Sequence, residues 1–126
     1  MSVEEQTARV MKAFKNPYVK IFGHPSGRLI NQREPISLDY EKVIRAAIAE
    51  KVALEINSQP TRLDLADNYC KLAKSMGAMF TVDSDAHHIQ QVENLMYGVS
   101  VARRGWVEKG DVLNTRSLKE FLGWWK

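Results

Sequence analysis

Val10, Met11 and Phe14 recur at helical spacing in a stretch rich in helix formers, which predicts a first helix over residues 3–14. Asn16-Pro17 stops it, because proline pushes the preceding residue out of the helical region. Tyr18-Val-Lys-Ile-Phe22 then reads as a short strand ending at Gly23, followed by a polar loop with Pro25, Gly27 and Pro35. After Ser37 and Asp39, the stripe Val43, Ile44, Ala47 and Ile48 predicts a helix to about Lys51. Val52–Ile56 is the second strand. A helix follows from about Asp64, carrying Leu65, Tyr69, Leu72 and Met76, with Gly77 placed to end it. Met79–Val82 reads as the third strand and leads into Asp83-Ser-Asp-Ala-His87. Val92, Leu95, Met96 and Val99 mark one face of a further helix. Val112-Leu113 reads as a fourth short strand, and Ser117 with Glu120 forms a capping-box pattern before a last helix.

Strand and helix alternate in units of roughly 30 residues, the signature of parallel βα units in an α/β protein. Units of this kind build either a small open sheet or part of a (β/α) barrel, as one domain over residues 1–126. Both architectures gather ligands where the strands end at their carboxyl edge. His24, Glu55, Asn57, Asp85 and His87 all fall there.

Composition narrows the class without naming a function. With 44% hydrophobic and 26% charged residues the 126-residue chain has a globular balance, which excludes wholesale disorder. The net charge of +3 is too mild to argue nucleic-acid binding by itself. No apolar run approaches a membrane span, and the polar start MSVEEQTARV has no signal-peptide core. Cys70 is the single cysteine, so no disulfide forms within the chain, and a reducing cytoplasmic setting is expected.

Asp85-Ala86-His87 offers a hard oxygen and a neutral imidazole nitrogen two residues apart, a pair able to grip one divalent cation. In extended backbone Asp83, Asp85 and His87 face one way; the competing reading is a polar turn that caps the next helix. His24 lies between Gly23 and Pro25, and the proline holds it extended with its ring presented at the strand end. Glu55 sits among apolar neighbours and reads as supporting a ligating imidazole, against a buried salt bridge as the alternative. Asn57 belongs with it. Arg28 and Arg62 are candidate phosphate contacts, as are Arg33, Arg103 and Arg104, although charged loop residues are often simply solvated. Trp106, Trp124 and Trp125 read as packing residues rather than base-stacking platforms. Cys70 reads as a small core residue. No GxSxG, P-loop or dinucleotide fingerprint occurs.

The order Gly-His-Pro-Ser-Gly-Arg-Leu, Leu-Glu-Ile-Asn followed by Arg-Leu-Asp, and Ser-Asp-Ala-His resembles the C-terminal part of a PHP (polymerase and histidinol phosphatase) domain. It is most similar to the PHP domain that ends bacterial and archaeal family X DNA polymerases, from Asn16-Pro17-Tyr18 to the Trp-rich tail. The resemblance implies a distorted (β/α)7 TIM-like barrel with metal ions, manganese or zinc and also magnesium, at its carboxyl-terminal mouth. It implies phosphoester hydrolysis, a 3′–5′ exonuclease acting in DNA repair, with DNA or another phosphoester as substrate. By motif, His24, Asp85 and His87 match the family's metal ligands, while Glu55, Asn57 and Arg62 match a segment near the site.

One departure is large. The His-x-His motif that opens a full PHP domain is missing, because only His24, His87 and His88 are present. The chain therefore looks like the last half of the barrel, and three ligands can hold one metal but not a two-metal clamp. A half barrel leaves strand edges and an inner face bare. A homodimer, the missing half of the barrel, or collapse of the first and last helices onto the edge is expected to cover them. The alternative function is a catalytically incomplete structural or DNA-contacting fragment. A weaker one is a small-molecule phosphatase of the histidinol-phosphate branch.

Overall fold

Three strands, β1 (Ile21–Phe22), β2 (Ala53–Asn57) and β3 (Phe80–Asp83), pair in parallel in the order β1-β2-β3 in the computed structural model, which describes residues 1–125. Helices α1 (Val3–Phe14), α2 (Tyr40–Ala49), α3 (Asp67–Met76), α4 (Leu95–Arg104) and α5 (Leu118–Trp124) occupy the intervals between and around them. The fold is α/β with an open three-stranded parallel sheet.

The register explains how the sheet sorts its side chains. Leu54 stands beside Phe80 and Ile56 beside Val82, while Glu55 stands beside Thr81 and Asn57 beside Asp83. Side chains alternate across a strand, so one face carries Phe22, Leu54, Ile56, Phe80 and Val82 and the other Glu55, Asn57, Thr81 and Asp83. The apolar face packs into one core with Val43, Ile44 and Ala47 of α2, and with Cys70 and Ala73 of α3. Fully burying each Leu, Ile, Val or Phe there contributes about 1.5–3 kcal/mol. All of β2 is buried, as befits a central parallel strand.

Local sequence sets the helix ends. Ser2 and Glu5 exchange capping-box hydrogen bonds at the start of α1, and Ser117 with Glu120 does the same for α5. The Asp39 side chain accepts from Lys42 N to start α2. Gly77 ends α3 at φ 96°, a left-handed conformation that glycine adopts without a Cβ penalty.

Four sequence expectations need correction. The first strand shrinks to Ile21–Phe22, because Val19 N donates to Asn16 O in a turn that uses up Tyr18 and Val19. Helix α3 starts at Asp67 rather than Asp64, since Asp64 pairs by its backbone with Asn57. Val112 makes one isolated parallel bridge to Phe80 instead of a strand, and the chain then turns through a 3-10 segment, Leu113–Thr115. The Asn114 side chain takes over at that edge, accepting from Val82 N (3.1 Å) and donating to Val82 O (2.8 Å).

The fourth concerns α4. A 3-10 segment, Ile89–Asn94, precedes it, and the anticipated core face points outward, with Met96 63% exposed. Gly98 and Ala102 are the buried positions of α4. Small residues win that face because the helix lies so close to the sheet. A Cβ on Gly98 would collide with Ser58 Oγ and come within 2.9 Å of Val82 Cγ1. The tryptophans divide. Trp125 Nε1 donates to Lys20 O beside β1, whereas Trp106 is 69% exposed with Lys71 Nζ 4.4 Å from its ring centre. Trp106 therefore does not close the packing, while Cys70 is fully buried in the core.

Gly98→Ala is expected to destabilise the protein by about 1–3 kcal/mol in chemical denaturation, as overpacking does. Gly123→Ala, a helical position with open space around it, is expected to stabilise by about 0.5–1 kcal/mol. On a Ser58→Ala background the Gly98→Ala penalty should shrink. Equal signs for the two glycine changes would contradict the close approach of α4.

Candidate functional site

The carboxyl ends of the three strands form a rim tied together by one chain of hydrogen bonds. His24 N donates to Glu55 Oε2 at 2.6 Å, and Asn57 Nδ2 donates to that same oxygen at 3.3 Å and to Asp85 Oδ2 at 3.0 Å. Asp85 O then meets His87 Nδ1 at 2.7 Å and accepts from Gln59 Nε2 at 2.7 Å. Glu55 and Asn57 are buried on β2, so the middle of the chain is fixed by the sheet itself.

Both flanks bend more sharply than extended backbone allows. His24 has φ 27° and Asp85 φ 52°, left-handed conformations that are rare for residues with a Cβ. His24 is therefore not held extended by Pro25. It sits in a turn whose Gly27 N donates to His24 O. The positive φ of Asp85 likewise breaks the alternation that would have aligned Asp83, Asp85 and His87. The exposed His87 folds back on the carbonyl of Asp85, and Gln91 Oε1 accepts from His87 N at 2.8 Å.

The expected ligands His24, Asp85 and His87 thus share the rim without converging. Among the described residues no three His, Cys, Asp or Glu side chains are grouped to hold a metal ion. The donor set of this chain, as arranged, does not fit a metal centre by itself.

Glu55 and Asn57 are hydrogen-bonded to His24 N and to the Asp85 carboxylate respectively. Among the described residues Glu55 forms no salt bridge, the alternative considered for it. The arginines differ from expectation. Arg28 Nε donates to Arg62 O (2.7 Å) and its Nη2 to Leu63 O, while Arg62 Nη1 donates to Arg28 O (3.2 Å). These donors lace two loops together. Arg33 Nε donates to Gly27 O and Arg104 pairs with Asp67, so these two arginines are also engaged.

Sequence reasoning passed over Gln59, Gln91 and Asn114, which hold the rim turns by side-chain amides. It also gave Asp64 no role beyond the start of a helix. Glutamine and asparagine in a loop carry little signal of their own. The buried Asp64 was readable only as the polar end of Arg-Leu-Asp.

Electrostatically the rim is a carboxylate pair with a single cover. Burial pushes the Glu55 carboxyl up to about 7, and the nearby Asp83 carboxylate adds to the rise. The hydrogen bonds from His24 N and Asn57 pull the other way without cancelling it. Asp83 is occupied in turn by Thr81 Oγ1 at 2.7 Å and by Asn114 Nδ2 at 3.3 Å. A carboxyl that titrates near neutrality is able to hold or release a proton at working pH.

The same shift sets the sign of a stability effect. Between pH 4.5 and about 7 the folded protein keeps the Glu55 proton while the unfolded chain loses it, so stability falls as pH rises. Below this window the cost is absent; above it the cost is complete. Denaturation midpoints of the wild type relative to Glu55→Gln should therefore decline from pH 5 to pH 8 and then level off. Parallel curves for the two proteins would show that Glu55 is not held protonated.

No family model matches the chain. It is 39% identical over 112 residues to DNA polymerase/3′-5′ exonuclease PolX of Bacillus subtilis (strain 168), covering 89% of this chain and 20% of that protein. It is 35% identical over 128 residues to a probable phosphatase of Thermoanaerobacter sp. (strain X514), covering 95% of this chain and 50% of the relative. A probable phosphatase of Vibrio parahaemolyticus is 30% identical over 125 residues, covering 94% of this chain and 48% of the relative. The chain thus spans about a fifth of the polymerase and about half of each phosphatase. Across nearly its whole length the chain is similar to part of PolX and to part of these probable phosphatases.

Proposed function

We propose that the chain is part of a PHP-type phosphoesterase domain, and that its rim contributes His24, Asp85 and His87 to a metal-dependent site for phosphoester hydrolysis. The supporting observation is the hydrogen-bonded rim, which carries all three residues on the ligand-gathering end of a parallel sheet. Three donors are too few for a two-metal clamp, so further ligands would come from a second copy or from another part of a barrel. Manganese or zinc, and also magnesium, is the expected metal class for such an oxygen and nitrogen set. The distorted (β/α)7 TIM-like barrel belongs to the same reading. An apolar face covered by helices and an opposite face lined by Glu55, Asn57, Thr81 and Asp83 is how a barrel strand divides its two sides.

The resemblance to PolX carries the substrate toward DNA and the activity toward 3′–5′ exonuclease work in repair. A second reading, hydrolysis of a small phosphomonoester, is favoured by the larger share of the phosphatases that the chain spans. No helix among the described residues is long and apolar enough to cross a membrane. The buried thiol of Cys70, pushed up to about 12 mainly by burial, is inert and consistent with a cytoplasmic setting.

The two readings separate in one assay. Fractions from size-exclusion chromatography are incubated with manganese and either a 5′-labelled single-stranded oligonucleotide or p-nitrophenyl phosphate. Hydrolysis is expected from the assembled species, with stepwise 3′ shortening of the oligonucleotide marking the nuclease. His87→Ala and Asp85→Asn should each lower it by about 100-fold or more, since even partners behind metal ligands cost 10–100-fold. Activity in the monomer that survives both substitutions would contradict the proposal. Silence of every fraction with every metal would favour the structural or DNA-contacting role.

A further inference from the structure

Asp64 is fully buried, yet among the described residues it forms no salt bridge. Its carboxylate instead accepts backbone amides. Ser26 N lies 3.1 Å from each carboxylate oxygen, and Gly27 N donates to Oδ2 at 2.9 Å. Its own backbone is pinned to the end of β2, where Asn57 N donates to Asp64 O at 2.6 Å and Asp64 N to Asn57 O at 3.2 Å. The turn from Gly23 to Gly27 is therefore hung from β2 by two carboxylates, Glu55 at His24 N and Asp64 at Ser26 N and Gly27 N.

Burying a carboxylate is costly unless charge-assisted hydrogen bonds replace its water, and here the replacements all come from one turn. That turn holds His24 at φ 27°, a conformation that persists only where its surroundings impose it. The Arg28 guanidinium, bonded to the carbonyls of Arg62 and Leu63 on either side of the bend, closes the same assembly. We propose that Asp64 is the positioning residue for His24, its carboxylate fixing the Gly23–Gly27 turn that holds His24 at the rim with its backbone N on Glu55. The inference deepens the functional reading given above and rests on His24 belonging to the site.

Asp64→Asn removes the charge and replaces one acceptor oxygen by a donor that faces the Ser26 N–H in either orientation. In the full chain, amide hydrogen exchange of Ser26 and Gly27 is expected to accelerate by about tenfold or more, the effect of losing one charge-assisted hydrogen bond. The His24 ring nitrogen shifts are expected to move toward those of the exposed His88, while Leu54 and Ile56 amides stay protected. Val43→Ala, a core truncation away from the turn, is the structural control. It should loosen Leu54 and Ile56 but leave the His24 ring shifts in place. Unchanged Ser26, Gly27 and His24 signals in Asp64→Asn overturn the proposal, as does uniform acceleration that includes Leu54 and Ile56. Where Asp64→Asn does not fold, coupling across the hydrogen bonds from Ser26 or Gly27 nitrogen to the Asp64 carboxyl carbon decides in the unmodified protein; its absence overturns the proposal. These readouts need neither metal nor substrate. An inactive protein that shows the expected pattern overturns the phosphoesterase reading and leaves the positioning role standing.

Discussion

Two buried carboxylates, Glu55 and Asp64, each accept backbone amides from the turn after β1, and the arrangement of the rim follows from that constraint. A short parallel sheet has few means of fixing the loops that leave its strands, because each loop must run to a helix on one side. Here β1 is only two residues long and cannot orient its own exit. The neighbouring central strand does it instead. Glu55 lies within β2 and Asp64 is bridged to Asn57 at the end of β2, so both acceptors inherit the rigidity of the most buried strand. The amides they capture cannot point elsewhere without leaving a buried charge unsolvated. Packing of the apolar face against α2 and α3 supplies the platform, and the carboxylates convert it into a defined loop geometry.

The division of the sheet into an apolar and a polar face links fold to chemistry. Apolar packing alone would be served by helices on both sides, as in a doubly wound sheet. Instead the second face carries Glu55, Asn57, Thr81 and Asp83 in mutual hydrogen bonding, continuing upward into Asp85 and His87. A polar interior that leads to a strand-end rim is a design for a site rather than for stability. Stability is given up at Glu55, whose carboxyl is raised toward neutrality by burial, and the rim gains a proton-holding group in return. His24 and Asp85 stand on this framework, both in left-handed backbone.

Much of the fold was legible because its signals are local. Helices α1, α2 and α5 follow from capping residues and apolar stripes, and the central strands from short apolar runs. The failures share a cause. Leu65 and Asp64 look helical, but a backbone pairing with Asn57 outweighs propensity and delays α3. Val92, Met96 and Val99 look like a core face, but Gly98 allows the opposite side of α4 to approach the sheet. In both places a tertiary contact overrides the pattern. The rim residues were legible by their position after strands. Their geometry was not, because it depends on left-handed backbone at His24 and Asp85, which residue types enriched there permit but no sequence periodicity signals. Arg28 and Arg62 carry bonds no sequence pattern signals, because each guanidinium reaches backbone carbonyls of the other's loop.

In the proposed reading the rim contributes His24, Asp85 and His87 to a metal site whose remaining ligands lie outside one copy. Elemental analysis of protein purified without chelator and separated by oligomeric state tests it most directly. Manganese or zinc is expected in the assembled species and lost in His24→Ala, with the monomer free of both. A monomer carrying stoichiometric metal, or metal retained after His24→Ala, would contradict the account.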